Sequence, residues 1–378
     1  MENIEVTVVM PCLNEQEGVG VCIDKIQEVF AKESIVGEII VADNNSSDAS
    51  RQIAASKGAR VVFEPVPGYG SAYLKGLSEA RGKYIIMADS DNTYDFFDIP
   101  KFLRLLREGA DFVIGSRFKG LIQKGAMPWA NRYIGNPVLS GLTRMFFHTS
   151  LSDIHCGMRA FTRQAYEKMR LHTLGMEFAT EMVVAALTND LKTREVPINY
   201  YPRKGQSKLQ SFADAWRHVR FMLLYCPAWL YFIPGGIGFI AGMLLQVILL
   251  KGPFLFLGHM WDVHPAVFAS VLTLLSYQLI HLGIYAHTFA VGQGFLKEDR
   301  FTLFLHRHFN LEKWLLAGFV IFCAGIVINL FIFAEWFSHS FGALFRIRES
   351  VFAMTLLVIG LQTIFSSFFI SLLSLRRR

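Results

Sequence analysis

The stretch KYIIMADSDNTYD, residues 83–95, joins an apolar run to three closely spaced aspartates, Asp89, Asp91 and Asp95. A short apolar run with turn-forming residues at its ends predicts a buried β-strand. Acidic residues that follow such a strand directly form either a solvated turn or a site for a divalent cation. The residues that surround the stretch decide between these two interpretations.

Similar apolar runs alternate with helical patterns along the first half of the chain. They predict five strands, at residues 4–10, 37–43, 59–64, 83–89 and 110–116. The pattern at residues 46–58 predicts a helix with a serine N-cap and Gly58 at its end. Such alternation is typical of βαβ units and of a mostly parallel, Rossmann-like sheet. Because ligands bind where parallel strands end, three segments are expected to share one edge: Pro11–Glu15, Asp43–Ser47 and Asp89–Asp95.

The second half of the chain has the composition of a membrane protein. Hydrophobic residues make up 52% of the sequence, and residues 228–250 contain no formal charge. A helix of this length, at about 1.5 Å per residue, crosses the roughly 30 Å hydrocarbon core of a bilayer. Three further apolar stretches lie near residues 265–290, 314–334 and 351–374. We therefore expect a bundle of four transmembrane helices over residues 228–378.

Between the two halves, residues 207–227 mix aromatic and basic side chains, among them Trp216, Arg217 and Arg220. An amphipathic helix of this kind lies in the membrane interface, with its apolar face among the headgroups. The sequence therefore predicts three parts: an α/β domain over residues 1–206, an interfacial helix region, and the membrane helices.

The basic residues near the membrane segments predict the topology. The N-terminus lacks the basic and long apolar regions of a signal peptide, so we expect the α/β domain to stay in the cytoplasm. Lysine and arginine then concentrate on the cytoplasmic side, in agreement with the positive-inside rule: Lys297, Arg300, Arg307, Lys313 and Arg376, Arg377 and Arg378. The other side carries only Lys251, Arg346 and Arg348. This predicts an integral protein of the cytoplasmic membrane with both termini in the cytoplasm. The five cysteines have no metal-type spacing and are expected to be reduced.

Asp89 and Asp91 are spaced to bind one divalent cation. Mg²⁺ or Mn²⁺ takes one or two carboxylates and completes its shell with substrate phosphates and water, which favours a nucleotide diphosphate as the ligand. Residues 41–48 add Asp43 or Asn44 as an acceptor for a nucleobase imide. Alternatively, that segment forms only an Asx turn and a helix cap.

Basic residues near the predicted strand ends are candidate phosphate clamps. They are Arg117, Arg132, Arg203 and Lys208. The alternative is a surface patch that attracts anionic lipids. The glycines at 68–70 complete neither a dinucleotide fingerprint nor a P-loop, which excludes both of those phosphate-binding motifs.

Several motifs, in this order, resemble those of polyprenyl-phosphate glycosyltransferases of the dolichol-phosphate mannose synthase type, within glycosyltransferase family 2. The motifs lie between residues 4 and 225 and are PCLNE (11–15), VADNNSSD (41–48), ADSD (88–91), GSRF (115–118), SDIHCGMRAF (152–161), MEFATEM (176–182) and GQSKL (205–209). The resemblance implies an inverting GT-A domain on the cytoplasmic side. Such an enzyme transfers a single hexose from a UDP- or GDP-sugar to a membrane polyprenyl phosphate, undecaprenyl or dolichyl. The lipid-linked sugar then serves cell-envelope glycan synthesis or protein glycosylation.

The resemblance also implies roles for individual residues. The nucleotide-sugar pocket would consist of Pro11, Asn14, Glu15, Asp43, Asn44, Asp89 and Ser90. The metal, Mg²⁺ or Mn²⁺, would be held by Asp89 and Asp91. The phosphates of donor and acceptor would be bound by Arg117, Arg132, Arg159, Arg203, Ser207 and Lys208. The catalytic set would be Asp89, Asp91, Arg117 and Asp153. Since a phosphate dianion needs no general base, Asp153 is expected to orient an arginine or the acceptor rather than abstract a proton.

Two residues depart from the family pattern. Asn44 stands where many members have a second aspartate, and Thr93 stands where many have a metal-binding glutamine. Two other functions are disfavoured by the sequence. A processive polysaccharide synthase is disfavoured because the chain lacks a Q-x-x-R-W motif, and a non-catalytic carrier or flippase of lipid-linked sugars is disfavoured because ADSD and SDIHCGMRAF are intact. No nucleic acid is expected as a partner. The sugar, the base and any homo-oligomer are left open.

Overall fold

The computed structural model describes residues 4–147, 149–204, 211–225, 228–292, 310–342 and 344–374. The chain forms two compact units, Met1–Met222 and Leu223–Arg378. The boundary between the units falls within the segment 207–227 that the sequence predicts to be interfacial. Helices and strands are numbered below in chain order over the described residues.

The first unit is built around a seven-stranded sheet with the strand order β3-β2-β1-β4-β6-β5-β7. Its strands are β1 (Val6–Cys12), β2 (Gly37–Asp43), β3 (Arg60–Phe63), β4 (Tyr84–Met87), β5 (Phe112–Ser116), β6 (Arg159–Thr162) and β7 (Thr193–Pro197). Only β6 runs antiparallel to its two neighbours, β4 and β5. The mostly parallel sheet confirms the predicted α/β fold of the GT-A type, and β6 and β7 are additions to the five predicted strands.

Eight helices of the described residues accompany this sheet. They are α1 (Val19–Lys32), α2 (Ser50–Ser56), α3 (Tyr69–Glu79), α4 (Ile99–Arg107), α5 (Asn136–Phe147), α6 (Arg163–Met169), α7 (Phe178–Thr188) and α8 (Ser211–Tyr225). The inner strands β1, β4, β5 and β6 are buried on both faces, as sheets covered by helices require. Helix α3 lies very close to the sheet, because a Cβ atom on Gly76 would come within 2.5 Å of Val9 Cγ1. This packing holds the loops at the carboxyl ends of the strands in fixed positions.

The predicted serine N-cap of α2 is wrong. The N-cap residue is Ala49, which has no capping side chain. Asp48 Oδ1 instead accepts a hydrogen bond from the Ser50 amide at 3.0 Å. The two serines that precede Asp48 bond to the neighbouring loop at Asn14. The serines therefore join two loops of the sheet edge rather than begin the helix.

The described residues of the second unit contain four helices long and apolar enough to span a membrane, which confirms the predicted bundle. These spans are Trp229–Leu250, Val263–Gly292 (α10), Leu311–Ser338 (α11) and Ile347–Ser374 (α12), and the first includes α9 (Ile233–Leu250). A short hairpin of β8 (Phe254–Phe256) and β9 (His259–Trp261) connects the first two spans.

Uncharged polar side chains join the membrane helices to one another. Gln246 on α9 donates to Thr273 Oγ1 at 3.0 Å, and it accepts from Thr355 Oγ1 of α12 at 2.9 Å. Ser270 on α10 lies 2.7 Å from the same threonine oxygen. Polar groups of this kind satisfy each other inside apolar bundles and stabilise helix association. Gln246 thus joins α9 to both α10 and α12.

Candidate active site

Three loops meet at the carboxyl edge of strands β1, β2 and β4. In the paired strands Cys12 lies beside Asp43, and Val9 lies beside Met87, two residues before Asp89. The loop after β4 is tied to β1, because Ser90 Oγ donates a hydrogen bond to the Pro11 carbonyl oxygen at 2.6 Å. The structure therefore brings the nucleotide-pocket candidates and the two aspartates to one edge of the sheet.

Asp89 is anchored by two tyrosines of helix α3. The hydroxyls of Tyr69 and Tyr73 lie 3.1 Å and 3.4 Å from Asp89 Oδ1. Burial raises the pKa of both phenols well above 10, so both remain protonated donors near neutral pH. Burial, and then the neighbouring charge of Asp91, raises the pKa of Asp89 itself to about 7. Gly157 packs beside the other carboxylate oxygen, because a Cβ atom there would lie 3.0 Å from Asp89 Oδ2.

Asp91 is oriented by Thr93, the residue that replaces the family glutamine. The Thr93 amide and hydroxyl donate to Asp91 Oδ1 at 3.0 Å and 2.6 Å. The intervening Asn92 adopts a left-handed conformation with φ of 64°, and Lys25 Nζ donates to its side-chain oxygen at 2.9 Å. This turn fixes Asp91 Oδ1 and leaves Oδ2 to face Arg203 Nη1 at 3.4 Å.

The carboxylate oxygens at this edge of the sheet suit a hard divalent cation in an open site. Within the described part of the chain there is no cluster of three or more His, Cys, Asp or Glu side chains able to enclose a metal ion. Asp89 and Asp91 instead form a carboxylate pair whose repulsion contributes to the raised pKa of Asp89. A divalent cation would relieve this repulsion. Mg²⁺ and Mn²⁺ sites with two protein carboxylates, completed by phosphate oxygens and water, have this character.

The segment after β7 lies against the loop that contains the two aspartates. The Tyr201 amide donates to the Thr93 carbonyl at 2.9 Å, and the Lys204 amide donates to the Asp91 carbonyl at 3.1 Å. Between them, Arg203 Nη2 forms an ion pair with Glu15 Oε1. The guanidinium of Arg203 therefore lies between the carboxylates of Glu15 and Asp91.

A second ion pair, between Arg117 and Asp153, is almost fully buried. Asp153 accepts hydrogen bonds from Arg117 Nε at 2.7 Å, from Arg117 Nη2 at 2.8 Å and from the Arg117 amide at 3.0 Å. Burial alone would lower the pKa of Arg117, but the Asp153 carboxylate outweighs it and raises that pKa well above its usual value. Asp153 is thus committed to orienting Arg117, in line with the orienting role expected of it.

Comparison with known proteins places this arrangement in a family. Residues 7–170 match the description "Glycosyl transferase family 2", and residues 284–374 match "Glycosyltransferase family 2 C-terminal transmembrane region". The chain is 39% identical over 363 residues to the low-salt glycan biosynthesis hexosyltransferase Agl6 of Haloferax volcanii, covering 96% of this chain and 87% of that protein. The chain belongs to glycosyltransferase family 2.

Two further proteins are similar to this glycosyltransferase. The dolichyl-phosphate hexose transferase of Haloferax volcanii is 31% identical over 211 residues, which cover 55% of this chain and 88% of that protein. Glucosyl-3-phosphoglycerate synthase from Mycobacterium tuberculosis, crystallised with Mn²⁺, UDP and glucosyl-3-phosphoglycerate, aligns with a TM-score of 0.48 at 21% identity, over 59% of this chain and 80% of that one. The family match and the four apolar helices identify this glycosyltransferase as a membrane protein.

Two residues predicted to bind substrate have structural partners instead. Arg159 is fully buried and donates to three backbone carbonyls, those of Cys156, Ala179 and Ile154, at 2.6–2.9 Å. It shapes the loop before β6 and is not presented to a phosphate. Asn44 donates to two carbonyls and accepts from the Gly68 amide, so both groups of its side-chain amide already fix residues 64–68.

Two nitrogens of the Arg117 guanidinium are already bonded within the protein. Because its Nε and Nη2 groups are bonded to Asp153 and only 7% of its side chain is exposed, direct clamping of a phosphate by those groups would require the ion pair to open. Arg132 is half-buried in the turn before α5, with its guanidinium 5.4 Å from the centre of the Tyr133 ring. Ser207 and Lys208 lie outside the described residues.

Asp43 keeps one oxygen available for a ligand. Its Oδ2 atom accepts from Arg51 Nε at 2.5 Å and from the Ser46 amide at 3.3 Å. Its Oδ1 atom is buried and has no hydrogen-bond partner among the described residues. An unpaired buried carboxylate oxygen is unfavourable, and a donor from a ligand would relieve that cost. Asn14 accepts from the Ser47 amide and joins the loops that flank Asp43.

Sequence reasoning missed Glu195 on β7, which supports the Arg117–Asp153 pair. Glu195 Oε1 accepts from the amides of Ser152 and Asp153 at 2.8 Å and 3.1 Å, and its other oxygen pairs with Lys119 Nζ at 2.5 Å. Glu195 lies 43 and 42 residues from Ser152 and Asp153 in the sequence, and the pairing of β7 with β5 places it beside Ile114. An isolated Glu in a short strand carries no sequence signal for this role.

The first unit also exposes an apolar and basic surface around α5, here called the α5 surface. It consists of exposed Trp129, Tyr133, Ile134, Val138 and Met145, together with Lys124, Arg132 and Arg144. Helix α8 contacts α5 through Thr143 Oγ1, which lies 2.9 Å from Met222 Sδ, and it exposes Trp216. Large exposed apolar patches on a folded unit mark interaction with a partner or a membrane.

Proposed function

We propose that this glycosyltransferase transfers a single hexose from a UDP- or GDP-sugar to a membrane polyprenyl phosphate, with inversion at the anomeric carbon. The observation that carries the proposal is the Asp89–Asp91 pair, which two tyrosines and Thr93 hold at the sheet edge. Two carboxylates held in this way suit the cation of a nucleoside diphosphate, with Mg²⁺ or Mn²⁺ supplying charge neutralisation for the leaving diphosphate.

The donor would lie along the edge from Asp43 to Asp91. The buried, unpaired Oδ1 atom of Asp43 would accept the imide N–H of a nucleobase, and Pro11, Glu15 and Ser90 would line the path between the base and the diphosphate. Arg203, next to Asp91, can pair with phosphate oxygens. The family resemblance and the hexosyltransferase relatives support a hexose as the group transferred.

The chemical step needs no proton abstraction. A phosphate monoester is mostly a dianion near pH 7, because its second pKa is about 6. One of its oxygens forms the new bond to C1 of the hexose, the bond from C1 to the β-phosphate oxygen breaks, and its electron pair leaves with the nucleoside diphosphate. Asp153 is already bound to Arg117, and we assign this fixed cation to the acceptor side of the site. The site therefore acts by positioning and by electrostatic stabilisation.

The acceptor would be reached at the membrane surface. The α5 surface combines exposed aromatic residues with basic ones, which is the composition of an interfacial helix. A polyprenyl chain loses roughly 0.8 kcal/mol for each CH₂ that leaves the bilayer, so the enzyme must work where the lipid phosphate lies. The dolichyl-phosphate hexose transferase relative supports this acceptor class. We place both termini and the first unit on the cytoplasmic side of the cytoplasmic membrane.

Membranes with the full-length protein test the proposal. They are given a panel of radiolabelled UDP- and GDP-hexoses with Mg²⁺ or Mn²⁺ and a short polyprenyl phosphate. A chloroform-soluble product with one sugar is expected from one donor, and Asp91→Ala should abolish it without lowering protein abundance in the membrane. A polymeric product would indicate a processive synthase, and no product from any donor would indicate a non-catalytic carrier.

A further inference from the structure

We propose that Arg203 is the resident counter-cation of Glu15 and Asp91 in the nucleotide-free enzyme, so that a divalent cation binds tightly only together with the nucleoside diphosphate. This inference rests on the proposed function, because it concerns the same donor site. It adds an order of binding and assigns the residue that enforces it.

The first observation is the position of the Arg203 guanidinium. Nη2 forms an ion pair with Glu15 Oε1, and Nη1 lies 3.4 Å from Asp91 Oδ2. The Asp91 oxygen that faces Arg203 is the one that Thr93 leaves open, since Thr93 occupies Oδ1 with two hydrogen bonds. The arginine thus neutralises the same carboxylate oxygen that a cation between Asp89 and Asp91 would use.

The second observation is the backbone that carries Arg203. The amides of Tyr201 and Lys204 are bonded to the carbonyls of Thr93 and Asp91, on either side of the arginine. These bonds hold the segment against the aspartate loop without any help from the arginine side chain. The side chain is 22% exposed, and its Nε atom is buried with no hydrogen-bond partner among the described residues. The guanidinium can therefore change partners while the backbone stays in place.

The third observation is the charge balance of the site. The carboxylates of Glu15 and Asp91 both lie within ion-pair distance of one guanidinium, that of Arg203. A divalent cation that binds without nucleotide encounters carboxylates already paired with the Arg203 guanidinium. The positive charge of that guanidinium also repels the cation at short range. A nucleoside diphosphate supplies new anionic oxygens for both cations. Arg203 can then move to a phosphate while the metal occupies the aspartates.

The inference predicts opposite effects of one substitution on two ligands. Arg203→Gln removes the counter-cation. Mn²⁺ should therefore bind the nucleotide-free variant at least roughly tenfold more tightly than it binds nucleotide-free wild type. The same variant should bind UDP or GDP more weakly in the presence of Mn²⁺, because the phosphate partner is lost. Arg203→Lys keeps a charge without the forked geometry, and its Mn²⁺ affinity should lie between the two.

The experiment measures Mn²⁺ binding by electron paramagnetic resonance on purified full-length protein, first without and then with nucleoside diphosphate. Lys204→Gln is the matched control: it removes the same charge from the neighbouring exposed residue, keeps the amide bond to Asp91, and should leave Mn²⁺ affinity within twofold of wild type. Equal Mn²⁺ affinity of wild type and Arg203→Gln without nucleotide would overturn the inference. Equal tightening in both variants would also overturn it, because it would show a general charge effect.

The outcome is independent of the transfer reaction. If Arg203→Gln tightens Mn²⁺ binding but no donor gives a lipid-linked sugar, the counter-cation role stands and the proposed function fails. If transfer occurs and Mn²⁺ affinity does not change, the proposed function stands and the counter-cation role fails.

Discussion

The hydroxyl of Tyr69 lies 3.1 Å from Asp89 Oδ1, and this contact joins helix α3 to the acidic loop after β4. The two residues are twenty positions apart, and no motif in the sequence links them. The hydrogen bond from Tyr69 favours the charged form of Asp89, whereas burial and the charge of Asp91 favour the neutral form. Tyr69 is therefore a positioning residue of Asp89.

Replacing Tyr69 by Phe should lower kcat/KM by about ten- to hundredfold, because a hydrogen bond to a charged group is lost in a buried place. The pKa of Asp89 should rise, so the acidic limb of the pH profile should move to higher pH. Initial rates of sugar transfer measured from pH 5.5 to pH 9 check both effects. Tyr73→Phe is the matched control, since its hydroxyl is 3.4 Å away and its loss should matter less. An unchanged pH profile for Tyr69→Phe would contradict the positioning role.

The titration of Asp89 should make the stability of the metal-free folded protein depend on pH. Its pKa is about 7 in the folded state against 3.8 as the reference value, so the folded state holds its proton more tightly. Its stabilising contribution is complete below about pH 4 and is lost as the pH rises through 7. Asp89→Asn stays neutral throughout. The melting temperature of this variant minus that of wild type, measured with EDTA, should therefore increase from pH 4 to pH 7 and level off above. A constant difference over this range would show that Asp89 titrates normally.

The Arg117–Asp153 pair should behave as one buried unit. Removing one partner leaves an uncompensated charge, so Arg117→Ala or Asp153→Ala alone should cost about 3–5 kcal/mol of unfolding free energy. The double variant should cost much less than the sum, because no unpaired charge remains. Chemical denaturation of the four proteins measures the coupling. Additive losses would contradict the view that Asp153 serves chiefly to hold Arg117.

The α5 surface should govern access to the lipid acceptor. Replacing both Trp129 and Tyr133 by Ser removes two exposed aromatic side chains and should raise the KM for a long-chain polyprenyl phosphate by roughly tenfold. The KM for the nucleotide sugar should stay the same, since neither residue contacts the donor edge. Leu174→Ser, at another exposed apolar position, is the control. If the double variant changes neither KM, the α5 surface has no part in acceptor binding.

Regular elements were predictable from the sequence because their signals are local. The alternation of strands and helices predicted the parallel core, and four uncharged stretches predicted the membrane spans. Each of these predictions depended only on residues close together in the sequence. Strand β6 was missed because Arg159–Thr162 is only four residues long and enters the sheet against the direction of its neighbours. No short-range pattern distinguishes such an insertion from a loop.

The site was predictable only where function depends on residue type at a strand end. Asp89 and Asp91 were predicted as metal ligands in this way, and Thr93 was recognised as a departure without its bond to Asp91. The backbone bonds of Asn44 and Arg159 were not predicted, because a polar residue in a motif has two uses, ligand binding and satisfying buried backbone groups, and the sequence does not distinguish them. Glu195 was missed because its partners come from a different strand and loop.

Analysis of the reaction product tests the central claim most directly. Purified full-length protein is incubated with its preferred nucleotide hexose, a divalent cation and polyprenyl phosphate, and the lipid product is examined by mass spectrometry and by NMR of the anomeric centre. The account predicts one hexose on the lipid phosphate, with the anomeric configuration opposite to that of the donor, and no product from Asp91→Ala. A retained configuration, more than one sugar per lipid, or full activity of Asp91→Ala would contradict it.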